Sequence, residues 1–114
     1  NKTAHAEVVA FQDAAGKCPL DCRDLILVST LEPCVMCTGA AMEASVDTIL
    51  YALPAPADNG TSRVAPPTSP EAQLPRFIGR ILADDSRALF QTWLDANGDT
   101  PQASFVTQLL KLNE

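Results

Sequence analysis

The chain has little to offer a membrane or a nucleic-acid backbone. No apolar run approaches the ~18 residues that a bilayer-spanning helix requires. Basic residues are few: 8 Lys and Arg stand against 14 Asp and Glu, a net charge of −6. That balance disfavours a partner held by broad phosphate neutralisation, such as duplex DNA or a large RNA face. It leaves open a small ligand in a closed pocket. No stretch reads as a signal peptide. The four cysteines are therefore expected as thiols or metal ligands in a reducing, cytoplasmic compartment, not as a disulfide framework. Histidine is scarce too, His5 being the only one. The 114 residues are 46% hydrophobic and 19% charged, which predicts one globular domain spanning 1–114. There is no internal repeat, low-complexity tract or basic patch.

Taken in order, the chain alternates helices and strands. Thr3 reads as the N-cap of a helix over 4–15 that ends at Gly16, with Ala4, Val8, Phe11 and Ala15 at helical spacing toward the core. A polar loop carrying Cys18 and Cys22 follows; their spacing and the lack of a nearby histidine suggest ordinary thiols. The run Leu25 to Val28 has no polar alternation and predicts a strand covered on both faces. A helix over 34–44 and a strand over 48–52 complete a βαβ unit, whose strands must be parallel.

Residues 53–70 hold five prolines among small polar residues. So long a loop, after the C-terminal end of a parallel strand, is either a substrate lid or a solvated connector. Ser69-Pro70-Glu71 resembles a helix start, limited by Pro75 to about a turn. A short edge strand is expected over 76–81 and a helix over 83–96, with Leu82, Ser86, Leu89, Phe90, Trp93 and Leu94 on one side. Thr100-Pro101 reads as the N-cap and first residue of a last helix to Leu112, with Phe105, Val106, Leu109, Leu110 and Leu112 apolar.

The chemistry concentrates in Thr30-Leu31-Glu32-Pro33-Cys34-Val35-Met36-Cys37. Here a strand ends at a proline and two thiols open the next helix. A helix N-terminus should favour the thiolate, the metal-binding form. A lone Cys-x-x-Cys serves redox and metal sites alike, and a lone histidine on a helix is more often structural. Together with His5-Ala6-Glu7 at the start of the first helix, the set sharpens. One imidazole and two thiolates suit zinc and leave a tetrahedral ion one vertex short, as a catalytic site needs. Glu7 is the nearest proton carrier. Residues two apart share no helix face, so His5 and Glu7 can converge only beyond the helix's N-terminal end. Glu32 has two open readings, anchoring the turn through backbone N–H groups or touching substrate.

His5-Ala6-Glu7 followed by Pro33-Cys34-Val35-Met36-Cys37 resembles the zinc-dependent cytidine/deoxycytidylate deaminase superfamily. Within it, Thr3 to Val8, Thr30 to Cys34 and Met36 to Ala40 are most similar to the branch of tRNA-specific adenosine deaminases, guanine deaminases and fungal-type cytosine deaminases. The likeness covers about residues 1–52 well and 80–95 loosely. It implies a three-layer α/β/α fold with a mainly parallel central sheet, of which the N-terminal helix and two strands are missing from this chain.

The resemblance also implies one zinc bound by His5, Cys34 and Cys37, with Glu7 shuttling protons and Ala6, Glu32 and Pro33 near the base. The implied reaction is hydrolytic deamination: water activated at zinc adds to the amine-bearing ring carbon, and ammonia leaves. A free guanine- or cytosine-type base or nucleoside is the preferred substrate, and a homodimer is expected. The alternatives are a tRNA adenosine-to-inosine deaminase and a non-catalytic scaffold whose zinc is closed by Cys18 or Cys22.

Overall fold

The computed structural model describes residues 1–17, 24–68, 70 and 72–114. The expected loop thiols Cys18 and Cys22, and Ser69 and Glu71 of the expected short helix start, lie outside the described residues. The sheet is built around β2 (Thr48–Leu53), flanked by β1 (Ile26–Leu31) and β3 (Arg76–Ile78), both parallel to it. Helix α1 (Ala6–Ala15) precedes β1, and α2 (Val35–Glu43) crosses from β1 to β2, as the βαβ reading required. Helices α3 (Ala83–Ala96) and α4 (Ala103–Leu112) close the chain.

Side-chain alternation divides the molecule into layers. Leu27, Ile49 and Phe77 stand in register across the three strands and pack against Ala41 of α2, Val46 and Phe11 of α1. Thr30 points to the opposite face and shares a cavity of about 260 Å³ with Leu89, Phe90 and Trp93 of α3 and Val106 of α4. Leu53, Ala55 and Leu109 form a second core beneath Phe90. The result is an α/β fold with α1 and α2 on one side and α3 and α4 on the other, consistent with part of a cytidine deaminase-like fold.

Four expectations need correction. β1 is not covered on both faces: it is the edge of the described sheet, and Ile26 and Val28 are 60% and 72% exposed. Helix α3 reaches only the far end of that face, where Ser86 Oγ donates to the Thr30 carbonyl at 2.6 Å. Leu82 is exposed because it caps α3 in the left-handed region (φ 54°, ψ 40°) and does not join its buried side. Thr3 does not cap α1; its backbone N–H and hydroxyl turn back to Asn1 Oδ1, and His5 is the N-cap. Thr100 does not start α4: its hydroxyl donates to the Asn97 carbonyl, a turn intervenes, and Gln102 is the N-cap.

Helix α1 buries no residue and meets its neighbours through half-buried Val8 and Phe11. The weight of the core therefore falls on β2, where Ile49 is fully buried. Ile49→Ala should destabilise the fold by about 2–5 kcal/mol. Ile26→Ala, at an exposed edge, should cost well under 1 kcal/mol. Urea unfolding of the two variants checks the contrast.

Candidate metal centre

The turn after β1 is made by three consecutive roles. Glu32 N–H donates to the Leu53 carbonyl at 2.9 Å, a last tie to β2. Pro33 has no N–H to continue the ladder. Cys34 then takes extended dihedrals (φ −72°, ψ 178°) as the N-cap of α2. Its Sγ accepts from the Cys37 N–H at 3.5 Å, filling the place that a serine or aspartate oxygen usually fills. The first turn of α2 carries Cys37, fully buried, beneath it.

His5 is the N-cap of α1, also extended (φ −65°, ψ 154°). That dissolves the difficulty of the two-residue spacing. His5 lies outside the helix, so its side chain is not bound to helical directions, and it and Glu7, from the first turn, each come within 3.5 Å of Cys37 Sγ. His5 Nδ1 is 3.5 Å from Cys34 Sγ and 3.5 Å from Cys37 Sγ. The three ligand atoms lie within 4.8 Å of one another, and among the described residues this set has three members. Zinc bonds of roughly 2.0–2.1 Å to nitrogen and 2.3 Å to sulfur, at a tetrahedral angle, would separate N and S by about 3.6 Å. Both N···S distances match that edge. The residues fit zinc, and among the described residues they form one candidate site.

Glu7 sits beside the ligands without joining them. Its Oε2 is 3.5 Å from Cys37 Sγ and its Oε1 is 3.5 Å from Ser29 Oγ. Ser29 went unnoticed in the sequence; it lies on β1 two residues before Leu31, whose carbonyl accepts its hydroxyl at 2.7 Å. Period-two alternation from buried Leu27 toward the α1 side could have found it.

One electrostatic expectation is reversed. Without metal, burial pushes the Cys37 thiol well above its ordinary range, and the nearby Glu7 charge adds to the effect. The helix N-terminus does not prevail at this sulfur. A bound cation supplies the compensation that the helix end does not.

Of the two readings of Glu32, the structure shows the anchor. The side chain is 5% exposed, and its carboxylate accepts from the Ala55 N–H at 3.0 Å and from the Thr61 N–H and hydroxyl at 3.3 and 2.5 Å. Pro33 is fully buried and Ala6 is exposed. The long loop is thus neither a free lid nor a loose connector over its first part. A single 3-10 turn, Gly60–Ser62, lies against the start of α2. Among the described residues no helix is long and apolar enough to cross a membrane.

Beside this parallel α/β sheet, two helix starts gather one imidazole, two cysteine sulfurs and a carboxylate, a donor set that suits zinc. Residues 1–53 match the family described as the cytidine and deoxycytidylate deaminase zinc-binding region. The match spans just under half of the 114 residues and supports a relation to the zinc-dependent cytidine/deoxycytidylate deaminase superfamily. It is 50% identical over 50 residues to a tRNA(Ile)-lysidine synthase of Deinococcus radiodurans, covering 43% of this chain and 9% of that protein. It is 35% identical over 86 residues to the tRNA(Ile)-lysidine synthase of Deinococcus deserti, covering 74% of this chain and 16% of that protein. The chain therefore spans about a sixth or less of the relatives it matches.

The ligand set predicts the metal content of variants. The purified chain should hold one zinc after dialysis. His5→Ala and Cys37→Ser should weaken zinc binding by more than the 10- to 100-fold typical of losing a second-shell partner. Glu7→Gln should keep a full equivalent. Metal analysis after dialysis against a graded chelator series distinguishes these outcomes.

Proposed function

We propose that this chain carries a zinc-dependent deaminase activity that replaces the exocyclic amine of a nucleobase by oxygen. The observation that carries the reading is the placement of the Glu7 carboxylate 3.5 Å from Cys37 Sγ, beside a three-ligand set that it does not complete. Zinc held by His5, Cys34 and Cys37 would leave a position for water and would lower that water's pKa toward neutrality.

The remaining work falls to the chain. Glu7 takes the proton released as water's oxygen bonds to the ring carbon. It returns that proton to the amine nitrogen as the carbon–nitrogen bond breaks, and ammonia departs. Ser29 Oγ, whose proton goes to the Leu31 carbonyl, lies 3.5 Å from the other carboxylate oxygen. The exposed Ala6 directly follows His5 and Pro33 directly precedes Cys34, and both flank the base in this reading.

A free guanine- or cytosine-type base or nucleoside is the substrate class the motifs favour. The second reading, a nucleoside within tRNA such as adenosine converted to inosine, is supported by the relatives: both are named for a reaction on tRNA. Against it stands a net charge of −6. A homodimer is part of the proposal by family resemblance.

Released ammonia, assayed across bases, nucleosides and unmodified tRNA, decides the substrate. Activity on tRNA that falls steeply with added salt selects the second reading. Glu7→Gln should lose about 10²- to 10⁴-fold of the rate while its zinc stays, and a chelator should abolish turnover. Equal rates in wild type and Glu7→Gln would remove the mechanism. No turnover on any member of the panel would favour the scaffold reading. Small-angle scattering at micromolar concentration should give twice the chain's 12.1 kDa mass; a monomer contradicts the dimer.

A further inference from the structure

The first part of the long loop is tied down by one buried acid. Glu32 places Ala55 on one carboxylate oxygen and Thr61 on the other. Between these two anchors the chain turns through Asn59, in the left-handed region (φ 52°, ψ 39°), and Gly60, which is buried. Gly60 is in very close contact with the turn that presents the ligands. A Cβ there would lie 2.2 Å from the Pro33 carbonyl oxygen and 2.6 Å from Cys34 Cα. No side chain fits, and backbone meets backbone.

The arrangement forms a closed mechanical circuit. Glu32 leads by two residues into Cys34, reaches across to Ala55 and Thr61, and so draws Gly60 onto the Pro33–Cys34 peptide. That same peptide sets the extended dihedrals of Cys34 and aims its Sγ at Cys37 N–H and His5 Nδ1. A carboxylate suits this role because it accepts on two oxygens at once, while every group facing it here is a donor.

We propose that Glu32 is a positioning residue for the metal centre: by latching residues 55–61 it seats Gly60 behind the Pro33–Cys34 peptide and fixes where the Cys34 thiolate stands. The inference rests on His5, Cys34 and Cys37 being the zinc ligands, and it is independent of which substrate is deaminated.

Cobalt(II) loaded into the full chain in place of zinc reports the site directly, through its ligand-field and thiolate charge-transfer bands. Glu32→Ala should weaken cobalt binding 10- to 100-fold, the usual range for a partner behind a ligand, and shift those bands. Glu32→Gln should fall between, since its amide nitrogen would face N–H donors. Gly60→Ala, with Glu32 intact, should also shift the bands, because its methyl group must displace the Pro33–Cys34 peptide.

If Glu32 only stabilises the fold, its variants will lower the Tm of the metal-free protein yet bind cobalt with wild-type affinity and spectrum. That result overturns the proposal. Should Glu32→Ala fail to fold, Glu32→Gln and Thr61→Val decide it by the same two readouts. A wild-type chain that takes up no cobalt or zinc would instead defeat the metal assignment, and this proposal with it.

Discussion

Two helix starts meeting at one edge of a parallel sheet are the constraint on which the rest depends. Each helix contributes its N-cap residue, His5 from α1 and Cys34 from α2. An N-cap is half outside its helix, so its side chain has directions that interior positions lack. This is how residues adjacent in sequence to Glu7 and Cys37 approach one point from two elements. The parallel pairing of β1 with β2 makes α2 start at the C-terminal end of β1, where this can occur.

The site is made in surroundings that oppose it until a cation is present. Cys37 is fully buried, its thiol's pKa is raised, and a carboxylate lies 3.5 Å away. The energy that holds this geometry comes from packing around Ile49, Ala41 and Thr38, and from the buried Glu32 bonds to the loop. A metal bound there would add to that frame and offset the burial of the Cys37 thiol. Metal affinity and loop order are linked through the same short turn, Glu32 to Cys34.

The parts legible in sequence are those governed by local rules. The βαβ unit followed from two apolar runs separated by a helix of small residues, and α3 was found at its observed bounds. The ligand trio was visible because its spacing brackets two helix starts. What escaped depends on distant neighbours. Nothing within residues 25–28 says that β1 ends up at an edge with Ile26 and Val28 uncovered. The choice between the two roles of Glu32 required the positions of Ala55 and Thr61, more than twenty residues away. Thr3 and Thr100 both had the chemistry of caps, but each found a nearer partner. At Cys37, burial raises the pKa of the metal-free thiol, an effect set by neighbours that the helix-end rule alone does not include.

The central claim is that a single zinc is held by three side chains of this chain and keeps one position for water. X-ray absorption at the zinc edge of the purified chain tests it most directly. The account predicts two sulfur neighbours at about 2.3 Å, one imidazole nitrogen and one oxygen at about 2.0–2.2 Å. A third sulfur in the shell, or no zinc in the protein, would contradict it.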